Sequence, residues 1–263
     1  MGRSSLKNVA RLINVANTKV APEVDFLANL KRSIEMTDEA GKGKPVSQTF
    51  KPSSMNCKRG NYYQLMGMTP DVPDSVYTSV GICNAGSDIH IRIQTAIMGM
   101  QKNGIDCKWV DVEKFVKQRR LDDLEIKMHT KTETKLYHKK YNLSFMCDGI
   151  IEYKGKYYIV EIKSEASSKF YTRDGVDPKH YKQATAYSLS FGIDNVIFIY
   201  VSRDNLEMKT FMFNVTDEMR QDLVNYMEEV NGYVEWQRVP PKGSIPRNIC
   251  QYCGYKDQCR KDG

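Results

Sequence analysis

The chain has 263 residues, and 39 Lys and Arg against 32 Asp and Glu give it a formal net charge of +7. Its length leaves room for one large or two modest domains with an ample core. No run of about eighteen apolar residues occurs, and the first residues lack the apolar region of a secretory signal, so we expect a cytoplasmic protein without a membrane segment. The modest positive charge is compatible with a polyanionic partner such as nucleic acid. Seven cysteines in such a chain indicate a reducing compartment and metal binding rather than disulfides.

Helical spacing of apolar residues dominates the first part of the chain. The elements predicted there are a helix over residues 23–36, a loop over 37–49, a helix from about Lys51 capped by Ser53 or Ser54, and a helix capped by Ser87 that runs to about Lys102. Strand-like segments follow at residues 121–130 and 135–142.

The second half alternates between strand and helix signals. The predicted elements are a β-hairpin over residues 143–163, a loop over 164–177, a helix over 178–191, strands over 195–201 and 207–215, an amphipathic helix over 216–233 and an extended connector over 236–247. This order predicts a mixed sheet flanked by helices, an α/β or α+β core.

Two acidic residues occupy neighbouring strands of the predicted hairpin. If the turn centres on Lys154-Gly155, Asp148 faces Glu161, and directly opposed Cβ atoms lie about 4.5–5.5 Å apart, where like charges repel. A divalent cation would neutralise the pair, because hard cations bind carboxylate oxygens. Side chains alternate along a strand, so Lys163 points to the same face as Glu161.

Two further groups could complete such a metal site. His90, predicted on the first turn of its helix, offers a neutral imidazole, and the carbonyl of Ile162 offers an oxygen at a strand end. Water would complete six ligands around Mg²⁺ or Mn²⁺. The chemistry that fits is phosphodiester hydrolysis, with Lys163 positioning the attacking water or stabilising phosphate charge. The alternatives are a surface or capping role for His90 and a cross-strand salt-bridge ladder of the acids with Lys163.

Gln183 and Tyr187 lie four residues apart in a predicted helix and therefore share one face. They could hydrogen-bond a phosphate, or they could orient the two acids and the lysine. Ordinary helix–sheet packing is the alternative for both side chains.

The cysteines near the end of the chain have the spacing of a metal centre. Cys250, Cys253 and Cys259 form a C-x2-C-x5-C run, and Cys57 is the best candidate for a fourth ligand. Spacing alone leaves open whether the site holds zinc or an iron–sulfur cluster. Either centre would join the two ends of the fold. The other cysteines, Cys83, Cys107 and Cys147, are predicted to be small core residues.

Taken together, these motifs resemble the RecB-like branch of the PD-(D/E)XK nucleases, and most closely its iron–sulfur members, the AddB nuclease domain and the nucleases of CRISPR adaptation. The motifs that carry the resemblance are Gly86-x-x-x-His90, Cys147-Asp148-Gly149, Glu161-Ile162-Lys163, Gln183-x-x-x-Tyr187 and the four cysteines Cys57, Cys250, Cys253 and Cys259. Cys147 occupies the position of the proline in the PD motif from which the superfamily takes its name. Residues 1–50 match nothing in the family.

The resemblance implies a restriction-endonuclease-like α/β core over residues 51–263, with an N-terminal extension over 1–50 and an iron–sulfur tail from about residue 248. It also implies a 4Fe–4S cluster on the four cysteines, which joins the N- and C-terminal segments, and a Mg²⁺ or Mn²⁺ site on His90, Asp148, Glu161 and Ile162. Catalytic roles would fall to Asp148, Glu161, Lys163, Gln183 and Tyr187.

The implied function is that of a metal-dependent deoxyribonuclease, an exonuclease acting on single-stranded DNA ends in recombination, repair, phage DNA processing or CRISPR adaptation. Such an enzyme would work in the cytoplasm of a bacterial, archaeal or phage-infected cell. The sequence has no phosphate-binding loop of a helicase, so the chain would act alone or with a helicase, recombination or adaptation partner. The alternatives are a structure-specific endonuclease, a non-cleaving DNA-binding or assembly subunit, and a zinc-stapled interaction module.

Basic and aromatic residues interleave in two segments that could guide a DNA strand. The candidate contacts are Arg59, Tyr62, Lys169 and Tyr171, because cations follow phosphates and aromatic rings stack on bases. Solvated loops with surface tyrosines are an equally good interpretation.

Overall fold

The structure, a computed structural model, describes residues 21–40, 46–71 and 76–263. The chain divides into two compact units, one made of Met1–Lys44 with Asp74–Ile82 and the other of Pro45–Pro73 with Cys83–Gly263. The α-helices are α1 Pro22–Ala40, α2 Lys58–Leu65, α3 Tyr77–Gly99, α4 Val112–Gln118, α5 Ser167–Tyr171, α6 Tyr181–Phe191, α7 Asp217–Glu235, α8 Arg247–Cys250 and α9 Lys256–Lys261. The strands are β1 Cys107–Val110, β2 Leu124–His129, β3 Thr134–His138, β4 Leu143–Cys147, β5 Gly149–Tyr153, β6 Lys156–Glu165, β7 Asn195–Ser202 and β8 Met208–Asn214.

A mixed five-stranded sheet forms the centre of the larger unit. Its strand order is β1-β5-β6-β7-β8, and only the β6–β7 pair is parallel. A second, antiparallel sheet has the order β2-β3-β4. Strands β6 and β7 are central, and their apolar side chains, such as Ile159, Ile162 and Phe198, are almost fully buried. Helices α6 and α7 pack against this core, so the predicted mixed sheet flanked by helices is confirmed.

The smaller unit contains α1 and the first turns of α3. The helix predicted over residues 23–36 is present and extends to Ala40, so the predicted loop begins too early; residues 41–45 lie outside the described part of the chain. Within this unit the Tyr77 amide donates to Glu35 at 3.0 Å, and the Lys31 ammonium lies 4.6 Å from the Tyr77 ring centre. None of the helices in the described ranges is long and apolar enough to cross a bilayer.

Two helix starts differ from their predicted positions. Helix α3 begins at Tyr77, and Ser87 is an interior residue whose hydroxyl donates to the Cys83 carbonyl at 3.3 Å. Serine can satisfy its hydroxyl on the preceding turn, so a cap-type residue does not have to begin a helix. Helix α2 begins at Lys58 with Cys57 in the cap position, because Ser53 and Ser54 belong to a separate 3₁₀ turn.

The later elements follow the prediction more closely. The helix over 178–191 starts as a 3₁₀ turn and continues as α6, and the Thr216 hydroxyl caps α7 by accepting from the Met219 amide at 3.2 Å. The strands at 195–201 and 207–215 are β7 and β8. The predicted loop over 164–177 is partly wrong, because β6 runs to Glu165 and the short helix α5 follows.

The apolar run from Leu143 to Tyr153 is two strands rather than one. Strand β4 pairs with β3, and β5 pairs with β6, so the chain changes sheets at Asp148. A Cβ atom on Gly149 would lie 2.8 Å from Trp109 Cζ3 and 2.9 Å from Cζ2. The indole of Trp109 therefore occupies the space that a side chain at position 149 would need, and a larger residue there would have to displace the ring.

Replacing Gly149 with Ala should destabilise the protein by about 1–3 kcal/mol, because the added methyl group has to displace a packed indole. The urea midpoint of unfolding measures the loss. Gly175→Ala is the matched control, since nothing lies within 4 Å of a Cβ atom there. Equal loss in both variants would show that Trp109 is not the cause.

Candidate active site

The hairpin turn brings the two predicted acids together. Tyr153 pairs with Lys156 and Gly149 with Val160, and both turn residues, Lys154 and Gly155, have positive φ angles of 50° and 74°. This geometry is that of a two-residue hairpin loop, as the sequence predicts. The register therefore places Asp148 at the level of Glu161.

Asp148 lies just beyond the end of the β5–β6 ladder instead of within it. Its Oδ2 accepts from the Ile162 amide at 2.8 Å, an N–H that has no partner on β5 once that strand has ended. Its Oδ1 lies 3.4 Å from His90 Nδ1. The carboxylate is thus fixed by the backbone on one side and faces the imidazole on the other.

The sequence predicts His90 on the first turn of its helix. In the structure His90 lies in the interior of α3, which begins at Tyr77. Burial lowers the pKa of His90, but the hydrogen bond to Asp148 and the charges of Asp148 and Glu161 outweigh it and raise the pKa overall. One turn further on, Gln94 is fully buried, and its Nε2 donates to the Asp148 carbonyl at 2.8 Å and to the Thr132 carbonyl at 3.1 Å. Gln94 holds the backbone of the acid, and its position four residues after His90 was the sequence signal that could have identified it.

Glu161 is 3% exposed, and only one of its oxygens is engaged. Oε1 lies 2.5 Å from Lys163 Nζ and accepts from Gln183 Nε2 at 2.7 Å. Oε2 is buried without a hydrogen-bond partner. Burial raises the pKa of Glu161 to about 7, and Asp148 adds to the rise while Lys163 opposes it.

Gln183 and Tyr187 form a supporting chain behind the acid and the lysine. Gln183 Oε1 accepts from Lys163 at 3.1 Å, while its Nε2 also donates to the Tyr187 hydroxyl at 2.9 Å. That hydroxyl donates to the Met146 carbonyl on β4 at 2.9 Å. Both side chains are buried, at 5% and 3% exposure. Their burial leaves no access for a phosphate, and the orienting role stays a prediction.

The salt-bridge alternative explains part of this arrangement. Lys163 does neutralise Glu161, but His90 and not Lys163 is the partner of Asp148. A salt-bridge ladder also leaves Glu161 Oε2 unsatisfied, and buried polar atoms normally have partners. A divalent cation bound by the two carboxylates would satisfy it, so the residues present fit such an ion.

Among residues 21–40, 46–71 and 76–263, no three His, Cys, Asp or Glu side chains already stand in metal-binding geometry. Asp148 contacts the imidazole of His90, and Glu161 contacts Lys163. Ile162 is fully buried and its peptide lies beside the acids, so its carbonyl stays a predicted ligand.

The four predicted cysteine ligands line one cavity of about 470 Å³. Cys57 lies at the start of α2, Cys250 ends α8 and Cys259 lies on α9. Burial raises the pKa of Cys253, and the neighbouring Cys57, Cys250 and Cys259 raise it further. Four thiols around one cavity are the donor set of a thiolate-bound cluster or zinc, so the residues fit the predicted centre.

The remaining cysteines behave mostly as predicted. Cys107 and Cys147 are buried core residues, whereas Cys83 is exposed, so the prediction for Cys83 was wrong. It lies on α3 among exposed positions.

Two of the four candidate DNA contacts are turned inward. Arg59 and Tyr62 are 6% and 3% exposed, because α2 packs them against the cysteine-containing tail, and the sequence prediction of a surface role for them was wrong. Lys169 is half-exposed and pairs with Asp177 at 2.9 Å. Tyr171 is 57% exposed and accepts from Asn205. Lys169 and Tyr171 stay predictions as DNA contacts.

Comparison with known proteins gives similarity of fold only. No protein-family model and no curated protein matches the chain. The crystal structure of SSO0001 matches over 90% of this chain and 98% of its own, at 14% identity and a TM-score of 0.46. An alkaline exonuclease from Laribacter hongkongensis, LHK-Exo, matches over 73% of this chain and 92% of its own, at 9% identity and a TM-score of 0.42. Its complex with dAMP gives 11% identity and a TM-score of 0.43. Likenesses at this level concern the arrangement of helices and strands alone.

Proposed function

We propose that the chain is a metal-dependent deoxyribonuclease that hydrolyses phosphodiesters, acting as an exonuclease on single-stranded DNA ends, with a 4Fe–4S cluster in its tail. The observation that carries the nuclease proposal is the half-satisfied Glu161 carboxylate. Its buried, unpartnered Oε2 lies in a site that also holds Asp148, His90 and Lys163. Buried anionic oxygens without partners are costly, and a site that keeps one is a candidate for ion binding.

His90, Asp148, Glu161 and the Ile162 carbonyl would hold Mg²⁺ or Mn²⁺. The bound ion would supply a water of lowered pKa and polarise a phosphoryl oxygen. The Ile162 amide holds one oxygen of Asp148, and Gln94 fixes the backbone of the acid. These contacts support a defined position for the carboxylate that would bind the ion.

Lys163 would act on the substrate side of the site. Its ammonium is held between Glu161 Oε1 and Gln183 Oε1, and its side chain is 22% exposed, so it can reach a phosphate that enters from solvent. A positive charge held at that point stabilises the charge that develops on the phosphate or orients the attacking water. The chain from Gln183 through Tyr187 to the β4 backbone keeps the ammonium in place.

The four-thiol cavity supports the cluster part of the proposal. Its lining includes Cys57, Cys250, Cys253 and Cys259, and four thiols are the donor set that a 4Fe–4S cluster takes. The cluster would fasten the tail to the start of α2. The proposed setting is recombination, repair, phage DNA processing or CRISPR adaptation, in company with a helicase or another recombination or adaptation protein.

One assay tests the nuclease proposal directly. Single strands labelled at the 5′ or the 3′ end are incubated with Mn²⁺, with Mg²⁺ or with a chelator. Metal-dependent release of short products supports the proposal, and the labelled end gives the polarity. A circular single strand separates the modes, because an exonuclease leaves it intact whereas an endonuclease opens it. An intact linear strand in every condition would contradict the proposal.

Glu161→Gln should stabilise the metal-free protein at pH 8, although it removes a metal ligand. The folded pKa of Glu161 is raised to about 7, above the unfolded value of about 4.3. The protonated Glu161 carboxyl therefore contributes fully to the stability of the folded state below about pH 4, and this contribution is lost as the pH rises through about 7. We expect Glu161→Gln to raise the free energy of unfolding by about 1–3 kcal/mol at pH 8 in chelator, and to change it little at pH 5.

Urea unfolding in chelator at pH 5 and pH 8 measures this difference. Glu152→Gln on β5 is the control, because Glu152 forms no ion pair within the described residues. A Glu161→Gln variant whose stability relative to wild type is the same at both pH values would contradict the assignment of a strained, buried carboxylate.

A further inference from the structure

Arg59 is a buried cation that lines the four-thiol cavity. It lies on the first turn of α2, two residues after Cys57, and is 6% exposed. Across residues 21–40, 46–71 and 76–263, no side-chain carboxylate forms an ion pair with it. A guanidinium stays charged in proteins. Hydrogen bonds from Tyr63 and Gln258 lower the pKa of Asp262, and the positive charge of Arg59 lowers it further, so this exposed acid of the tail offsets part of the buried charge.

The contacts of Arg59 join three segments around the four-thiol cavity. Nε donates to the Pro240 carbonyl of the connector at 2.9 Å. Nη1 donates to the Cys259 carbonyl at 3.3 Å and to a main-chain carboxylate oxygen of Gly263 at 3.2 Å. The same Nη1 lies 3.7 Å from the sulfur of Cys259. The guanidinium thus fixes the tail and directs an N–H group at a predicted ligand atom.

The charge of the predicted centre would be a further partner for this cation. Four thiolates around Zn²⁺, or around an oxidised 4Fe–4S core of charge +2, give a net charge of about −2. The other cations that line the cavity, Lys242, Lys256 and Arg260, are exposed, and water screens exposed charges. Arg59 is the buried cation of this set, so water screens its charge least.

We propose that Arg59 is the positioning residue that holds Cys259 against the four-cysteine centre, and that its guanidinium places a buried positive charge beside that centre. The inference rests on the proposed centre but not on which metal occupies it. Removal of the guanidinium takes this charge from beside the thiolates and frees the tail. Both effects weaken metal retention.

Metal release from the purified, loaded protein tests this inference. Wild type, Arg59→Gln, Arg59→Lys and Arg260→Gln are mixed with excess chelator, and protein-bound iron and zinc are followed by mass spectrometry. We expect release from Arg59→Gln to be at least about tenfold faster than from wild type. Arg59→Lys keeps the positive charge but loses the planar set of guanidinium N–H donors. Its rate of metal release should therefore be intermediate. Arg260→Gln removes an exposed charge and should stay within about twofold of wild type.

A reduction potential provides a readout that loose packing alone would not move. For an iron-loaded protein, reduction adds negative charge to the centre, so loss of Arg59 should lower the potential. A tenfold fall in the reduction equilibrium corresponds to about 59 mV for one electron. Arg59→Lys should recover most of this shift. Melting curves of the metal-free proteins establish which variants fold; if Arg59→Gln does not, Arg59→Lys takes its place with a smaller expected change.

The outcomes are distinguishable. Release at the wild-type rate from every folded Arg59 variant overturns the role of Arg59 and leaves the centre intact. A wild-type protein that retains neither iron nor zinc overturns the centre and this inference together, but not the nuclease site, which is assayed separately. If Arg260→Gln releases metal as fast as Arg59→Gln, the role of Arg59 is also overturned. The loss of any positive charge would then be enough to explain the faster release.

Discussion

Replacing Asp148 with Asn should lower the rate of DNA cleavage by at least about two orders of magnitude while the chain stays folded. Asn keeps the shape of the side chain and can still accept from the Ile162 amide, but it removes the charge that a divalent ion requires. Glu161→Gln and Lys163→Ala should cause losses of similar size. Glu161→Gln removes the other carboxylate of the site, and Lys163→Ala removes the ammonium beside it.

The measurement is the initial rate on an end-labelled single strand with saturating Mn²⁺. Asp122→Asn is the matched control, since Asp122 is an exposed acid remote in sequence from all the motifs. Circular dichroism confirms that each variant is folded. Wild-type rates in all three site variants would refute the catalytic assignment, and restored activity at high Mn²⁺ in Asp148→Asn would identify metal affinity as the property lost.

Replacing Cys57 with Ser should abolish the metal content of the tail and lower the stability of the protein by about 3 kcal/mol or more. Cys57 belongs to α2 whereas the other three thiols belong to the tail, so its ligation closes a loop of most of the larger unit. Anaerobically purified wild type should be brown, with broad absorbance near roughly 400 nm. The variant should be colourless, and its connector over residues 236–246 should become accessible to protease.

Cys83→Ser is the control, because Cys83 is an exposed thiol on α3 outside the cavity. Iron content, absorbance and urea unfolding are measured on both proteins. A Cys57→Ser variant that retains iron like wild type would exclude Cys57 as a ligand. A colourless wild type with stoichiometric zinc would replace the cluster by a zinc site and leave the four-thiolate centre standing.

The parts of the site that the sequence predicted are those set by short-range rules. The Lys154-Gly155 turn fixes the hairpin register, and helical spacing places Gln183 and Tyr187 on one face. Cysteines are informative because few other functions require thiols at such spacing, and the four predicted ligands do line one cavity. For these features, local geometry is enough to determine what lies together.

The features that the sequence did not predict depend on tertiary structure. A run of apolar residues from Leu143 to Tyr153 has the pattern of one strand, and the change of sheet at Asp148 has no local signal other than Gly149. The buried positions of Arg59 and Tyr62 arise from contact with a tail two hundred residues away in sequence. The sequence pattern therefore favours a surface position for these two residues, although the fold encloses them.

The change of sheet at Asp148 gives the larger unit an unusual sensitivity. One flank of this acid is tied to the three-stranded sheet through β4, and the other flank to the five-stranded sheet through β5. A change in the angle between the two sheets would therefore move this carboxylate relative to Glu161, which β6 holds. Substitutions where β4 passes into β5 should consequently weaken ion binding.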